Sequence, residues 1–195
     1  MHFGHANIIR YCNRPFADVT AMNAALVKNW NEVVGPDDEV WVLGDVALGS
    51  IHDMLALVRG LAGHKVLVAG NHDRCWAAAG PKSVAWESSY REAGFAEIHQ
   101  GVVDVVFDGA PALACHFPYQ GDSHDDDRFV PLRPVDAGMT LLHGHVHERW
   151  KVSGHQVNVG VDVWDFRPVT DTQLVAALAA QPKPPLSSRA RRSNP

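Results

Sequence analysis

Histidine, carboxylate and amide side chains stand beside glycine at several points of this sequence. The chain has 12 histidines among 195 residues, and histidine is the commonest metal ligand and a frequent proton carrier. Three segments combine these residue types: Gly44-Asp45, Gly70 to Asp73 and Gly144 to His147. Imidazole, carboxylate and amide groups together suit divalent transition metals such as Mn, Fe, Co, Ni or Zn. The sequence therefore predicts a metal site.

The first two of these segments each follow an apolar run that predicts a buried strand. Glu39 to Leu43 precedes Asp45, and Lys65 to Ala69 precedes the segment from Asn71 to Asp73. A helix opening at Ser50 separates the two runs, which predicts a βαβ unit with parallel strands. Parallel neighbouring strands end at the same edge of a sheet, where α/β proteins bind their ligands.

The second half of the chain is predicted to contain more strands. Val102 to Phe107 and Ala112 to His116 flank a turn and predict a hairpin. Met139 to Leu142 and Gln156 to Val161 predict two further strands. The single His116 therefore lies where a strand ends.

Two more helices are predicted from capping residues. Asp18 caps one, and Thr170 with Gln173 opens the last as a capping box. Together the elements predict an α/β sandwich with a mixed sheet, not a barrel, in one domain over residues 1–180. The Pro-, Ser- and Arg-rich composition beyond it predicts a disordered tail over residues 181–195.

Composition limits the classes of function. The net charge of -5 gives no indication of a nucleic-acid-binding surface, which shows as a basic excess. No apolar run approaches the ~20 residues that cross a bilayer, and the start of the chain does not resemble a signal peptide. Cys12, Cys75 and Cys115 are dispersed and fit buried thiols in a reducing cytoplasm. We expect a cytoplasmic protein without a membrane partner; the sequence predicts no oligomeric state.

The remaining histidines favour one shared site. His145 and His147 are two residues apart and share a face of an extended segment. Each candidate alone also fits a turn residue or a hydrogen-bonded structural histidine. As a set, however, they all fall at predicted strand ends or tight turns: His2, Asp45, Asn71, His116, His145 and His147.

The order of these segments resembles the calcineurin-like metallophosphoesterase family. That family's pattern is Asp-x-His, Gly-Asp, Gly-Asn-His-Asp/Glu, a single His and Gly-His-x-His. Here the pattern is His2, Gly44-Asp45, Gly70 to Asp73, His116 and Gly144 to His147. The resemblance extends over residues 2–168, and the stretches 2–9 and 158–168 resemble a small bacterial branch of compact phosphoesterases.

The resemblance implies an αββα sandwich that holds two divalent transition-metal ions. His2, Asp45 and His147 would hold the first. Asp45 would bridge to the second, because a carboxylate has two oxygens and its charge offsets both cations. Asn71, His116 and His145 would complete the second position. Such a metal pair catalyses in-line hydrolysis of phosphate mono- or diesters.

The resemblance also implies roles for residues near the metals. His72 would be the general acid that protonates the leaving group, with Asp73 orienting it; the alternative is that His72 only supports the metal ligands. His5, Arg10 and Arg74 could bind the substrate phosphate, although surface arginines are usually only solvated. The expected substrate is a small phosphoester or a nucleotide.

Two further expectations concern an acidic loop and another class of metal-dependent hydrolase. The loop from Asp122 to Asp127 predicts a solvated rim rather than a third metal site. A metallo-β-lactamase type of hydrolase would carry His-x-His-x-Asp-His early in the chain, which this sequence does not contain.

The sequence departs from the family's pattern at its first motif. The family's Asp would stand directly before Met1, and the strand before that Asp is absent from the printed sequence. Losing about three buried side chains at ~1.5–3 kcal/mol each is comparable with a domain's ~5–15 kcal/mol of stability. One hypothesis is that the natural start lies upstream. The alternative function is a metal-binding scaffold with impaired catalysis.

Overall fold

The computed structural model describes residues 1–181 and contains two β-sheets. The first sheet is parallel and has the strand order β1-β2-β3. Its strands are β1 (Glu39–Val42), β2 (His64–Val68) and β3 (Phe95–His99). The predicted tail, apart from Gln181, lies outside the described residues.

The second sheet is mixed and has the order β4-β5-β6-β8-β7. Its strands are β4 (Val102–Phe107), β5 (Ala110–Cys115), β6 (Thr140–His143), β7 (Val152–Ser153) and β8 (Gln156–Asn158). Strands β4 and β5 form the predicted antiparallel hairpin, whereas β5, β6 and β8 run parallel. The carboxyl ends of β1, β2, β5 and β6 therefore lead into the segments that carry the candidate ligands.

Five α-helices accompany the sheets within the described residues. They are α1 (Ala6–Tyr11), α2 (Val19–Val33), α3 (Ile51–Arg59), α4 (Glu87–Glu92) and α5 (Asp171–Ala179). Two of the predicted caps form: the Asp18 carboxylate accepts a hydrogen bond from the Ala21 amide at 2.8 Å, and Thr170 with Gln173 makes a capping box; Ser50 begins α3 without a side-chain cap. These caps satisfy amides that the first helical turn leaves without partners.

The two sheets face each other across an apolar layer. Leu43 after β1, Val68 in β2 and Ala114 in β5 are buried in one cluster between them. Helices α2, α3 and α4 contribute side chains to a core on the first sheet, and α5 packs through Leu174 on the second. The described residues thus form a mixed α/β fold with two sheets and no barrel. The α/β class agrees with the prediction, but the first sheet is parallel rather than mixed.

Strand β1 is an edge strand of the first sheet and lines a cleft of about 940 Å³ between the sheets. The cleft runs from Glu39 to the candidate ligands His2, Asp45 and His147. Beyond the end of β1, Phe3 pairs in parallel with Ala47. Within residues 1–181 no helix is long and apolar enough to span a bilayer.

Candidate metal centre

The centre of the site is the turn that follows β1. Asp45 is buried there, and its carbonyl accepts a hydrogen bond from the His2 amide at 2.9 Å. This bond and the pairing of Phe3 with Ala47 place the start of the chain beside the end of β1. His2 therefore reaches the Asp45 carboxylate although the two lie 43 positions apart in sequence.

The first group of ligand atoms comes from His2, Asp45 and His147, all within 4.8 Å of one another. The Nε2 atoms of the two histidines are 3.0 Å apart, and His2 Nε2 lies 3.5 Å from Asp45 Oδ2. The two rings meet edge to face. This is the set that the family resemblance implies for a first metal.

The second group comes from Asp45, His116 and His145, again within 4.8 Å of one another. His116 Nε2 lies 3.4 Å from Asp45 Oδ2 and 3.0 Å from Asn71 Oδ1. On the other side of the ring, His116 Nδ1 donates to the Leu43 carbonyl at 2.8 Å. In the neutral ring the Nε2 lone pair then faces two oxygen acceptors, an arrangement that a cation between them would satisfy.

The two groups share the Asp45 carboxylate. The structure thus brings together every residue that was predicted to bind metal: His2, Asp45, Asn71, His116, His145 and His147.

Several of these residues adopt left-handed backbone, which side chains other than glycine rarely do. The φ angles are 64° at His2, 52° at Asp45, 65° at His145 and 49° at His147. Such conformations cost on the order of 1–3 kcal/mol each and cluster at functional sites. These four residues all belong to the two candidate ligand groups, which indicates that the left-handed backbone directs their side chains into the site.

Glycines 44 and 70 allow the two loops to approach each other. A Cβ atom on Gly70 would lie 2.6 Å from Asp45 Oδ1, and one on Gly44 would collide with the His116 ring. Gly44 also has a φ of 83°. Glycine at both positions therefore permits the close contact between the ends of β1 and β2.

Burial sets the protonation of the ligand groups. Desolvation lowers the pKa of His145 and of His147 to about 4 and also lowers that of His2. Burial alone would raise the pKa of Asp45, but His116, His72 and the His72 amide hold it below its usual value. At neutral pH these three imidazoles are neutral and the Asp45 carboxylate is ionised, which are the states that bind a metal.

Asp73 has partners different from those expected. Its carboxylate accepts hydrogen bonds from the amides of Asp45, Val46 and Gly70 at 2.8–2.9 Å and from the Tyr90 hydroxyl at 3.2 Å. Burial and the nearby Asp45 carboxylate raise its pKa. These bonds hold the two ligand loops together, so the structure does not support the expectation that Asp73 orients the His72 ring.

His72 and the predicted substrate-binding residues lie around the first ligand group or on the surface. The His72 side chain is exposed, and its ring centroid is 5.7 Å from that of His2. His5 is half-buried, with Nδ1 3.4 Å from His2 Nδ1. Arg10 and Arg74 are exposed; the Arg10 guanidinium lies over the Tyr11 ring, 5.4 Å from its centroid.

One prediction about the acidic loop is wrong at its first residue. Asp122 is buried rather than solvated, although Asp125 to Asp127 are exposed. Its carboxylate accepts from Arg128 at 2.7 Å and lies 3.2 Å from His145 Nε2. Burial would raise the pKa of Asp122, but Arg128 and the His124 amide hold it well below its usual value. Asp122 thus contacts a candidate ligand that sequence reasoning had not linked to it.

Two further contacts support the candidate ligands and were not predicted from the sequence. Buried Asn158 donates to the carbonyls of His147 and Trp150 at 2.7 and 2.9 Å and so holds the loop after β6. Arg14 and Asp162 form a buried ion pair with bonds of 2.7 and 2.8 Å. Asn158 and Asp162 fall in the stretch 158–168 that carried part of the resemblance; no local sequence signal marked Arg14.

Comparison with known proteins places the chain among phage and archaeal relatives. It is 33% identical over 182 residues to the Gene 66 protein of Mycobacterium phage L5, a match covering 84% of each chain. It is 32% identical over 194 residues to the Gene 66 protein of Mycobacterium phage D29, covering 89% of this chain and 90% of that one. The chain belongs to the family of these Gene 66 proteins. No protein-family model matches it.

Two further similarities concern a shorter segment and the fold. Over 75 residues the chain is 51% identical to an uncharacterized protein of Methanocaldococcus jannaschii, covering 37% of this chain and 43% of that protein. A solved structure of a protein of unknown function from Aquifex aeolicus superimposes with a TM-score of 0.67 at 23% identity. That match covers 90% of this chain and 94% of the other, so the two share a fold.

Proposed function

We propose that the protein is a dinuclear, metal-dependent phosphoesterase of the calcineurin-like type. One observation carries this proposal: two groups of metal-ligand atoms, each within 4.8 Å, share the Asp45 carboxylate. Sharing a carboxylate places two cations side by side, and adjacent cations stabilise the attacking and leaving oxygens of an in-line displacement.

The residues present fit a metal pair. His145 Nε2 is buried and has no hydrogen-bond partner within residues 1–181, although Asp122 Oδ2 lies 3.2 Å from it. His116 is fixed through Nδ1 by the Leu43 carbonyl, so its Nε2 points at Asp45 and Asn71. A buried nitrogen without a partner costs about 1–3 kcal/mol, which a bound cation would offset.

Bound divalent ions would supply a water of lowered pKa and positive charge opposite the phosphate. The protein's own groups then orient and protonate the substrate. His72 projects beside the first ligand group and is free to donate a proton to the leaving oxygen. His5 lies next to His2, and the Arg10 guanidinium lies over Tyr11, whose ring is 6.1 Å from that of His5; both could bind a phosphate oxygen. The proposed substrates are small phosphate mono- or diesters, nucleotides included.

Hydrolysis of bis(p-nitrophenyl) phosphate and p-nitrophenyl phosphate by the full chain with Mn²⁺ tests the proposal. We expect turnover that a chelator abolishes, together with two metal ions per chain by elemental analysis. A protein that binds two metals but turns over neither these esters nor nucleotides would instead be a metal-binding scaffold.

The role of His72 has its own test in the dependence on the leaving group. His72→Asn should lower kcat by about 10²–10⁴-fold for an alkyl phosphate ester, whose leaving oxygen needs a proton. The same variant should affect p-nitrophenyl esters far less, because p-nitrophenolate leaves without protonation. Equal losses on both kinds of ester would show that His72 supports the site rather than acts as an acid.

A further inference from the structure

A third group of ligand atoms lies on the opposite edge of the His147 ring from the first candidate metal position. His147 Nε2 faces His2 Nε2 at 3.0 Å, whereas His147 Nδ1 lies 3.5 Å from Cys12 Sγ. The ring therefore stands between the Asp45 site and a thiol. Cys12 follows the last residue of α1 and is nearly buried.

Glu148 completes this third group. The Cys12 sulfur, a His147 nitrogen and a Glu148 carboxylate oxygen all lie within 4.8 Å of one another. Glu148 is exposed, so the group is open to solvent on one side. The site has an entry path and combines one sulfur, one nitrogen and one oxygen ligand from two segments of the chain.

We propose that Cys12, His147 and Glu148 form a third metal site, which takes a thiophilic divalent cation such as Zn²⁺ or Cd²⁺. Thiolate, imidazole and carboxylate are the usual ligands of Zn²⁺, and three protein ligands leave a fourth tetrahedral position for water. The sulfur distinguishes this site from the Asp45 site, whose nitrogen and oxygen ligands suit Mn²⁺ as well. On binding, the thiol proton and any proton on His147 Nδ1 pass to solvent, and no group changes its oxidation state.

Occupancy of this third site has a consequence for His147. A metal-ligating histidine normally uses its second nitrogen as an N–H donor. A cation at Nδ1 would remove that donor and so weaken His147 as a ligand through Nε2. The third site therefore competes with the first metal position for His147, and an excess of Zn²⁺ should displace a metal bound there.

Ultraviolet absorption during Cd²⁺ titration of the reduced, Mn²⁺-loaded full chain tests the proposal. Thiolate-to-Cd²⁺ charge transfer gives a band that nitrogen and oxygen ligands do not give. We expect this band to saturate at one Cd²⁺ per chain and to be absent in Cys12→Ser. The matched control Cys75→Ser removes a different buried thiol and should keep the band. Absence of the band in the wild type, or its persistence in Cys12→Ser, would overturn the proposal.

A second variant guards against misfolding of Cys12→Ser. Glu148→Gln changes an exposed side chain and should weaken Cd²⁺ binding by about tenfold or more. The control is Glu92→Gln, which changes an exposed carboxylate on α4 and should leave the Cd²⁺ affinity unchanged. Equal Cd²⁺ affinities in the two variants would show that Glu148 is not a ligand of the third site. The band is read without substrate, so the outcome is independent of whether the protein hydrolyses phosphoesters.

Discussion

At Asp45 one carboxylate faces histidines from the start of the chain, from the end of β5 and from the loop after β6. Asp45→Asn keeps the size of the side chain and removes the charge that both ligand groups share. We expect metal content to fall below one ion per chain and phosphoesterase activity to fall by more than about 100-fold. Elemental analysis and kinetics on the same samples measure both effects.

A matched control for this change is Asp53→Asn. Asp53 is exposed in the first turn of α3, where its carboxylate accepts a hydrogen bond from the Ser50 hydroxyl. This variant should retain both metals and full activity. If Asp45→Asn also kept two metals, the shared carboxylate would not be a ligand and the proposed site would be wrong.

Asp73 lies behind the candidate ligands, and we expect it to contribute to the stability of the folded chain. Asp73→Ala leaves the buried amides of Asp45, Val46 and Gly70 without their acceptor. At about 1–3 kcal/mol for each lost partner, we expect the free energy of unfolding to fall by at least ~3 kcal/mol. Urea unfolding of the metal-free protein measures this. Asp126→Ala, at an exposed position, should stay within about 0.5 kcal/mol of the wild type.

Local signals were enough to single out the candidate ligands after β1 and β2 but not the residues that support them. Asp45 and Asn71 follow apolar strands directly, so their neighbours in sequence marked them. In the sequence, Asp122 belongs to an acidic run that predicts a solvated loop. It is buried by Arg128, Arg133 and His145, which approach it only when the chain folds. The contact with His145 in particular joins distant parts of the chain and leaves no pattern in a single sequence.

At the scale of elements, caps and periodicity predicted the longer helices and the buried strands. Helix α2 buries Met22, Leu26 and Trp30 on one face. The predicted strand Gln156 to Val161 ends at Asn158, and a short 3₁₀ helix begins at Val161. Strands β3 and β7 and helices α1 and α4 were not predicted. They are short, and β3 depends on pairing with β2 rather than on an apolar pattern of its own.

The segment after α1 is fastened to the loop after β8 by the Arg14–Asp162 pair, whose side chains are almost fully buried. Arg14 also donates to the Met1 carbonyl at 3.0 Å, so the pair stabilises the strand-like stretch that carries His2. Asp162→Asn leaves the guanidinium buried without a counter-charge. We expect a loss of about 3–5 kcal/mol in the free energy of unfolding, measured by denaturant titration.

A double variant separates charge from packing in this prediction. Arg14→Met combined with Asp162→Ala removes both charges together and should recover much of the stability that Asp162→Asn alone loses. If the double variant were as unstable as the single one, the ion pair would matter for its shape rather than for its charge.

At the scale of the whole molecule, the two sheets bring their carboxyl ends to one place. The βαβ order predicted this for β1 and β2, because parallel neighbours end at the same edge. The approach of β5 and β6 depends on the second sheet packing face to face on the first. That packing depends on complementary apolar surfaces that are far apart in the sequence, and the spacing of residues does not reveal it. Only the family resemblance linked the first half of the chain with the second.

The concentration of buried histidines at this junction makes the metal-free protein sensitive to acid. Burial lowers the pKa of His145 and His147 to about 4 and that of His143 to about 3. Between pH 6.5 and 4 the unfolded chain therefore binds protons that the folded chain does not. Stability rises with pH wherever the unfolded state binds more protons, so the free energy of unfolding must decrease as the pH falls below 6.5.

Each such histidine contributes a slope of about 1.4 kcal/mol per pH unit in this window. Chelator-treated protein should accordingly lose several kcal/mol between pH 6.5 and 5, as measured by urea unfolding at each pH. In His147→Gln the slope should be shallower by about one histidine's share, because glutamine does not titrate. A slope that is the same in both proteins would mean that His147 is not held neutral by burial. The site would then need another source for the neutral imidazole that metal binding requires.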